Sequence, residues 1–599
     1  LVHDARRDQR LLAHARCVLS LALEVLGRYD ESLAVVQTYE APHPALDAET
    51  SSALRVQIGI AYNYTGDHPK AIALLNAELR EHAEHGAATQ LGAIYAALAR
   101  VYRRINEFSI ARDYVNKSLE HFRRTGDWRG LAESYFGLAM TDIQEGYYED
   151  SIANFEQAIQ LVGERPAPYL LGKIYNNLAG AYWFLKRPHD GIRSLEKGVN
   201  CYERTEHKDN ASIGYNNLGI NLMLVGEWSR AHTALKRALD LSLQIDGEGR
   251  HASMIYDSLG ELHLLRGDLE EAREHLERAV NIATEIGKKW YAAQAMRTLT
   301  RCHLAMNRTD SALVTGAGAL AVAERIGDRQ AICESSLLLA EAHLQNGDAR
   351  QCAKLLGEVS EETADSATDL AVAGEAQRVY GMLALAQKDA PLAAHHFGRS
   401  NSIFEMLGDR YCSARAHYWL GQANALAQPE RAVEHLGLAV HTFRELGARL
   451  DLARAEEFLA RLEAKSPAQH VEPNAPAQLL TLRLAEAVAS RELLLRELAA
   501  VMHQETKARR VLIAEAGEDG HFKVVVAHGC ASAEVTRFTA ALDEVKTDEE
   551  RERLALAEDA SIIVLRSTNA PPATLIVSPR EQELLAGGAS VEPLLRVVE

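Results

Sequence analysis

Small residues recur along the chain at Ser32, Ala71, Ala111, Ser151, Gly191, Ala231, Ala272, Ala312, Cys352, Ala393 and Ala432, always 39 to 41 residues apart. Twelve residues before several of them lies a short phrase of an aliphatic residue followed by Gly or Ala: Ile58-Gly59, Leu138-Ala139, Leu178-Ala179, Leu218-Gly219, Leu259-Gly260 and Leu339-Ala340. Self-similarity at a fixed period of this length is the signature of a solenoid. It also accounts for the length. A chain of 599 residues exceeds the roughly 250–300 at which a single core stops growing, whereas stacked units that touch only their neighbours have no such limit.

Each unit reads as two helices. The run Ile213 to Leu224 has apolar residues three and four apart, the helical period, and forms helix A. A turn follows at Gly66-Asp67, Gly146, Gly226, Gly267-Asp268 and Gly347-Asp348, where glycine accepts a left-handed cap without a Cβ penalty. Helix B carries the small residue and a second one seven later: Ala158, Ala238, Ala279 and Ala319. Two small residues two turns apart share a face and let helix B approach helix A closely. Between units, Gly126-Asp127, Gly327-Asp328 and Gly408-Asp409 supply a helix stop followed by an N-cap.

Leu218, Gly219, Trp228, Ala231 and Ala238, and likewise Leu138, Ala139, Tyr148, Ser151 and Ala158, give the chain its resemblance to the tetratricopeptide repeat family. The resemblance covers about Leu11 to Lys465, in eleven units of one register whose period of about 40 exceeds the family's usual 34. It implies a mainly α fold, a right-handed α-α superhelical solenoid of about eleven helix pairs. Repeat five departs most, with Lys186, Pro188 and Gly191 at its turn, and an irregularity or hinge is expected there.

Composition narrows the function. Net charge is −18, from 65 Lys+Arg against 83 Asp+Glu, the opposite of the basic stripe by which nucleic acid is held; no direct nucleic-acid partner is expected. Seven scattered cysteines without a C-x-x-C pair point to a reducing, cytoplasmic setting and away from disulfides or zinc. The longest weakly polar stretch, Ala312 to Ala323, falls short of the roughly 20 residues of a membrane span, and no signal peptide is read. The start at Leu1 and the ending "EPLLRVVE" raise the expectation of a piece of a longer protein.

Twenty-four histidines invite a metal or catalytic reading, and His263, His303 and His343 look like a set. They stand 40 apart, where other units have Tyr62, Tyr102 and Tyr182, so they belong to inter-helix packing. Three ligands must converge within about 2.1 Å of one zinc, which repeat-spaced side chains do not do. His82 with His85, and His395 with His396, lack the His-Glu-x-x-His arrangement. Neither a Walker phosphate loop nor G-x-S-x-G occurs. No enzyme, cofactor or metal is expected.

The resemblance implies that helix A lines a concave groove that grips a protein or peptide. Just before the phrase's aliphatic residue stand Asn177, Asn217, Ser258 and Thr298, a polar ladder; an asparagine donates and accepts at once, so it pairs with any peptide backbone. Arg100 and Arg104, four apart on one helix A, suit a carboxylate, and Lys173 joins them as a candidate.

Residues 1–465 thus form the solenoid, ending in a capping helix from Arg449 to Lys465. "SPAQHVEPNAPA" makes residues 466–477 a proline-rich linker, and residues 478–507 read as a long connector helix. From residue 508 to 599 the period changes to two. "RRVLIAEAGEDGHFKVVVAHG" is a β-hairpin by its turn chemistry, and "SIIVLR" and "ATLIVS" add strands around a charged helix from about Ala533 to Glu558. This order resembles a GAF domain, here expected to be incomplete. Repeats, linker, connector and GAF-like module together resemble the N-terminal regulatory region of bacterial sigma-54-dependent, Fis-family transcription activators. That resemblance implies a non-catalytic regulatory scaffold, with a small ligand at the GAF-like module and a homodimer through it and the connector helix as further expectations. The other reading is a stand-alone adaptor or small-ligand sensor.

Overall fold

The computed structural model describes the chain apart from residues 1, 42, 44–45, 83–87, 186, 248, 365–369, 466–490, 506–507, 518–520, 531, 546, 558, 566–571 and 579–599. It divides into two compact units, Leu1–Leu222 with Thr233–Gly247, and Met223–His232 with Glu248–Glu599.

The first unit is built on α1 (Val2–Val25), α2 (Tyr29–Val36), α3 (Ala48–Thr65), α4 (His68–His82), α5 (Ala88–Arg104), α6 (Phe108–Thr125), α7 (Trp128–Glu145), α8 (Tyr148–Val162), α9 (Pro168–Phe184), α10 (Pro188–Glu203) and α11 (Lys208–Leu224). Helix α12 (Trp228–Asp246) completes the sixth pair. The second unit continues with α13 (Arg250–Arg266), α14 (Leu269–Glu285), α15 (Lys289–Ala305), α16 (Thr309–Ile326), α17 (Arg329–Gln345), α18 (Ala349–Ala364), α19 (Leu370–Ala386), α20 (Ala390–Leu407), α21 (Arg410–Asn424), α22 (Pro429–Leu446) and α23 (Arg449–Lys465). These are the helix pairs that the period predicts, odd-numbered helices being A and even-numbered B.

The small residues sit where the packing argument requires. Ala71, Ala111, Ala231, Ala272, Ala312, Cys352, Ala393 and Ala432 are wholly buried, as are Ala158, Ala238, Ala279 and Ala319 seven residues on. The approach they allow is close: a Cβ at Gly260 would lie 2.5 Å from Leu276 Cγ and 3.2 Å from the Ala272 carbonyl oxygen. The Gly-Asp pairs also act as expected. Asp127 accepts from the backbone N–H groups of Arg129 and Gly130, Asp328 from Ala331 and Asp409 from Cys412, each satisfying donors that a helix start leaves open. At the fifth turn Lys186 lies outside the described residues, while Pro188 occupies the first turn of α10, where its missing N–H costs nothing.

The expected linker 466–477 and half of the expected connector, residues 478–490 and 506–507, lie outside the described residues; the rest of the connector forms α24 (Arg491–Glu505). The hairpin is present as β1 (Arg510–Ala516) and β2 (Phe522–His528), and the later strands as β3 (Ser561–Leu565) and β4 (Ala573–Ser578). The sheet is antiparallel in the order β2-β1-β4-β3. Along β1 the alternation of a strand sends Val511 and Ile513 toward Leu495, Leu498 and Met502 of α24, and Leu512 and Ala514 toward Phe538 and Leu542. The charged segment expected as one helix is two, α25 (Ser532–Glu544) and α26 (Asp548–Ala557). The break is chemical: Thr547 Oγ1 accepts from the Glu550 N–H at 3.2 Å while the Glu550 carboxylate accepts from the Thr547 N–H at 3.0 Å, a capping box that starts a new helix. Among the described residues no helix is long and apolar enough to cross a membrane.

Candidate ligand-binding grooves

In the first unit the A helices bring cations together. The Arg100 guanidinium on α5 meets Glu24 of α1 at 3.1 Å. Arg103 donates to Gln144 at 3.1 Å, Arg104 lies over the Tyr64 ring at 5.2 Å, and the Lys173 ammonium on α9 stands 4.2 Å from the Phe136 ring centre. Among the described residues, Arg100 is the one of these four with a carboxylate within ion-pair distance. Burial, with Arg100 next in effect, pushes the Lys173 ammonium down to about 8, although Glu133 and Glu24 oppose the shift. Burial and the neighbouring Arg100 likewise push the Arg103 guanidinium down. Among the described residues, Glu24 and Glu133 are the carboxylates that act on Lys173, with Arg100 and Arg103 beside it and Arg104 beside Arg103, a local cationic excess in a chain that is acidic overall.

The polar ladder is spent mostly on its own helices. Asn177 donates to the Lys173 carbonyl at 2.8 Å, Ser258 to Met254 at 3.1 Å and Thr298 to Gln294 at 3.4 Å, each one turn back. Asn217 instead reaches Asn176 of the preceding A helix at 3.2 Å. Of the expected groove residues, the structure gathers Arg100 and Lys173 into one electrostatic cluster, and Thr298 lines the cavity of the second unit. The three repeat-spaced histidines face forward toward their own turns or helix B. His263 lies 3.5 Å from Asp268, His343 4.0 Å from Asp348 and His303 3.4 Å from Thr315.

The second unit holds a cavity of about 790 Å³, within the range of small-ligand sites. Its walls come chiefly from α13, α15, α17, α19, α21 and α23, all A helices. The helices come round far enough for α23 to meet the start of the unit. Arg449 pairs with Asp268, Arg454 donates to the Ala305 carbonyl at 3.2 Å, and Leu450 packs so tightly on Gly267 that a Cβ there would lie 2.9 Å from its backbone nitrogen. The lumen is thereby closed on itself.

Its charges form a chain of pairs. Arg301 meets Glu261 at 2.8 Å, Arg297 meets Glu334 at 3.0 Å, Arg378 meets Glu341 at 2.5 Å and Glu375 at 2.8 Å, and Arg415 meets Glu375 at 3.3 Å. Burial alone would raise the Glu375 carboxyl, but Arg378 and Arg415 overcome it and bring it to about 2. Asp257 goes the other way: burial and then Glu261 push it up to about 7, and its Oδ1 is buried without a hydrogen-bond partner. Burial holds the Cys412 thiol well above its ordinary value, which keeps it protonated and a poor nucleophile. Among the described residues no group of three His, Cys, Asp or Glu side chains is placed to hold a metal ion. Apart from Thr298, the lumen residues are not among the sequence candidates, yet they carry a signal. Glu261, Arg301 and Glu341 alternate in sign at intervals of 40, as do Asp257 with Arg297 and Glu375 with Arg415.

Residues 251–325 and residues 132–161 each match a family profile described as tetratricopeptide repeat, and the chain carries these repeats. No curated protein matches it. Among solved structures it is similar to a Rap protein complexed with Competence and Sporulation Factor, at 14% identity over 69% of this chain and 98% of that one, with a TM-score of 0.39. It is similar also to the apo form of RapI (13%, 61% and 97%, TM-score 0.48) and to the apo form of the quorum sensor NprR from B. thuringiensis (14%, 52% and 88%, TM-score 0.42).

Proposed function

We propose that the protein is a non-catalytic regulatory scaffold whose first unit grips an acidic protein or peptide segment along its A helices. The observation that carries this reading is the cationic excess formed by Arg100, Arg103, Arg104 and Lys173, three of which have no carboxylate in ion-pair reach among the described residues. An incoming carboxylate would offset the burial and the Arg100 repulsion that together hold Lys173 low, so binding and charge relief act in the same direction. Panning a random dodecapeptide library on the full chain tests it. Asp- and Glu-rich sequences should be enriched, and an Arg100→Ala, Arg104→Ala double variant should lose them. Failure to enrich acidic sequences, or equal enrichment by the variant, overturns the reading.

The downstream role follows from the order of parts. Repeats, linker, connector and a small sheet module read as the sensory region of a bacterial sigma-54-dependent activator, the sheet serving as a GAF-like module that pairs as a homodimer. A Walker motif encoded downstream in the same gene would support this output; its absence would leave an adaptor. A second reading draws on the closed lumen. A cavity lined by the A helices of one unit suits a small ligand, which would make the second unit a sensor. Thermal-shift screening with a small-metabolite set, on wild type and on Arg301→Ala, Arg415→Ala, separates it from the first.

A further inference from the structure

Four histidines meet where the sheet module docks on the repeats of the second unit. His417 of α21 and His435 of α22 come from the repeats; His503 of α24 and His528 of β2 come from the module. His417 Nδ1 and His435 Nδ1 are 3.0 Å apart, with their rings stacked at 5.2 Å. His503 and His528 stack at 5.6 Å and 10°. The two pairs are joined across the junction: His503 Nε2 lies 3.5 Å from Glu434 of α22, and His417 lies within electrostatic reach of His528 and Glu434. Glu405 of α20 stands 3.9 Å from His417 Nε2, Arg431 acts on Glu434, and Arg399 of α20 pairs with Glu497 of α24 at the same junction.

This arrangement limits how many protons the docked state can hold. An Nδ1 to Nδ1 hydrogen bond needs one ring to donate and the other to accept, so protonating both rings breaks the bond and sets two like charges side by side. Glu434 can accommodate a proton on His503. The His417 and His435 rings are largely buried, and Glu405 and Glu434 are the carboxylates that act on His417. Burial pushes the His417 imidazole below its ordinary 6.5, although Glu405 opposes the shift. Released into water, each ring would take up its proton freely.

We propose that this four-histidine junction is a proton-operated latch, closed at neutral pH, that frees the sheet module from α20, α21 and α22 on mild acidification. The sign follows from linkage. A histidine held below its ordinary value binds fewer protons docked than undocked, so docking is intact above pH 6.5 and weakens as the pH falls below it. An excluded proton lowers the docking constant by up to about tenfold per pH unit below 6.5, so the His417 proton sets an upper limit of about a tenfold loss by pH 5.5.

Hydrogen exchange on the full chain at pH 7.5, 6.5 and 5.5, corrected for the intrinsic pH dependence of amide exchange, tests the latch. Residues 491–505 and 510–528 should lose protection by that factor while α5 to α9 of the first unit keep theirs. A His417→Gln, His528→Gln double variant should lose most of the pH dependence. The latch is overturned by junction protection that does not change with pH in the wild type, by a loss shared equally with α5 to α9, or by an undiminished acid effect in the variant. Should the variant fail to fold at pH 7.5 by circular dichroism, the wild-type titration alone decides.

Discussion

Glu497 is fully buried on α24 and pairs with Arg399 of α20, itself 7% exposed, at 3.4 Å. The pair sits in the same contact that packs Leu494, Leu498 and Val501 against Ile403, Met406 and Leu407. Replacing one member of such a pair leaves a buried charge uncompensated and costs about 3–5 kcal/mol, whereas replacing both with apolar residues of similar volume is often neutral or stabilising by about 1–4 kcal/mol. Glu497→Gln keeps the shape and removes the charge, so Arg399 loses the carboxylate it meets at 3.4 Å. The expected loss corresponds to roughly 10²- to 10⁴-fold in the docking equilibrium. Arg399→Met with Glu497→Leu should restore docking to at least the wild-type level. Two compact units make a single global transition a poor readout, so the assay is amide exchange of residues 491–505 at pH 7.5. The reasoning is refuted if Glu497→Gln speeds exchange there less than about fivefold, or if the double variant exchanges as fast as the single one.

Three further outcomes are expected. Gly260→Val drives a methyl group into Leu276 and the Ala272 carbonyl and should destabilise the second unit by about 1–3 kcal/mol in urea unfolding, the usual cost of overpacking. Asp257→Asn should raise the melting temperature at pH 8. The folded carboxyl titrates near 7 against an ordinary 3.8, so its penalty is absent below pH 3.8, grows as the pH rises through about 7, and the gain should vanish by about pH 4. Lys173→Met should also stabilise at pH 7, and its advantage should fade between pH 8 and 10.5, where the wild-type ammonium gives up its proton first in the folded state; differential scanning fluorimetry across that range reads it.

The helix pairs were legible because every unit restates the same local rules. Ala272, Ala312 and Cys352 are wholly buried, and that burial needs nothing beyond a neighbour of the same kind. The N-caps at Asp127 and Asp328 were legible for the same reason, and the Thr547 to Glu550 capping box was equally local but concealed by the acidic run around it. What no single unit reveals is what the units do together. Arg449 and Asp268 are 181 residues apart, and their meeting depends on small rotations summed over every intervening helix pair. Glu497 on its own helix is one more acidic residue; it is buried only because α20 covers it. The charges of the lumen fall between these cases. Glu261, Arg301 and Glu341 look like ordinary solvated side chains within their repeats, and their alternation emerges only when successive repeats are compared position by position. In a stacked fold the shared residues specify the scaffold, because any unit must satisfy its neighbour. The positions free to differ from unit to unit are those facing the groove, so selectivity for a ligand resides in departures from the repeat: a sign that flips at one register position, or a cation such as Lys173 left without its carboxylate.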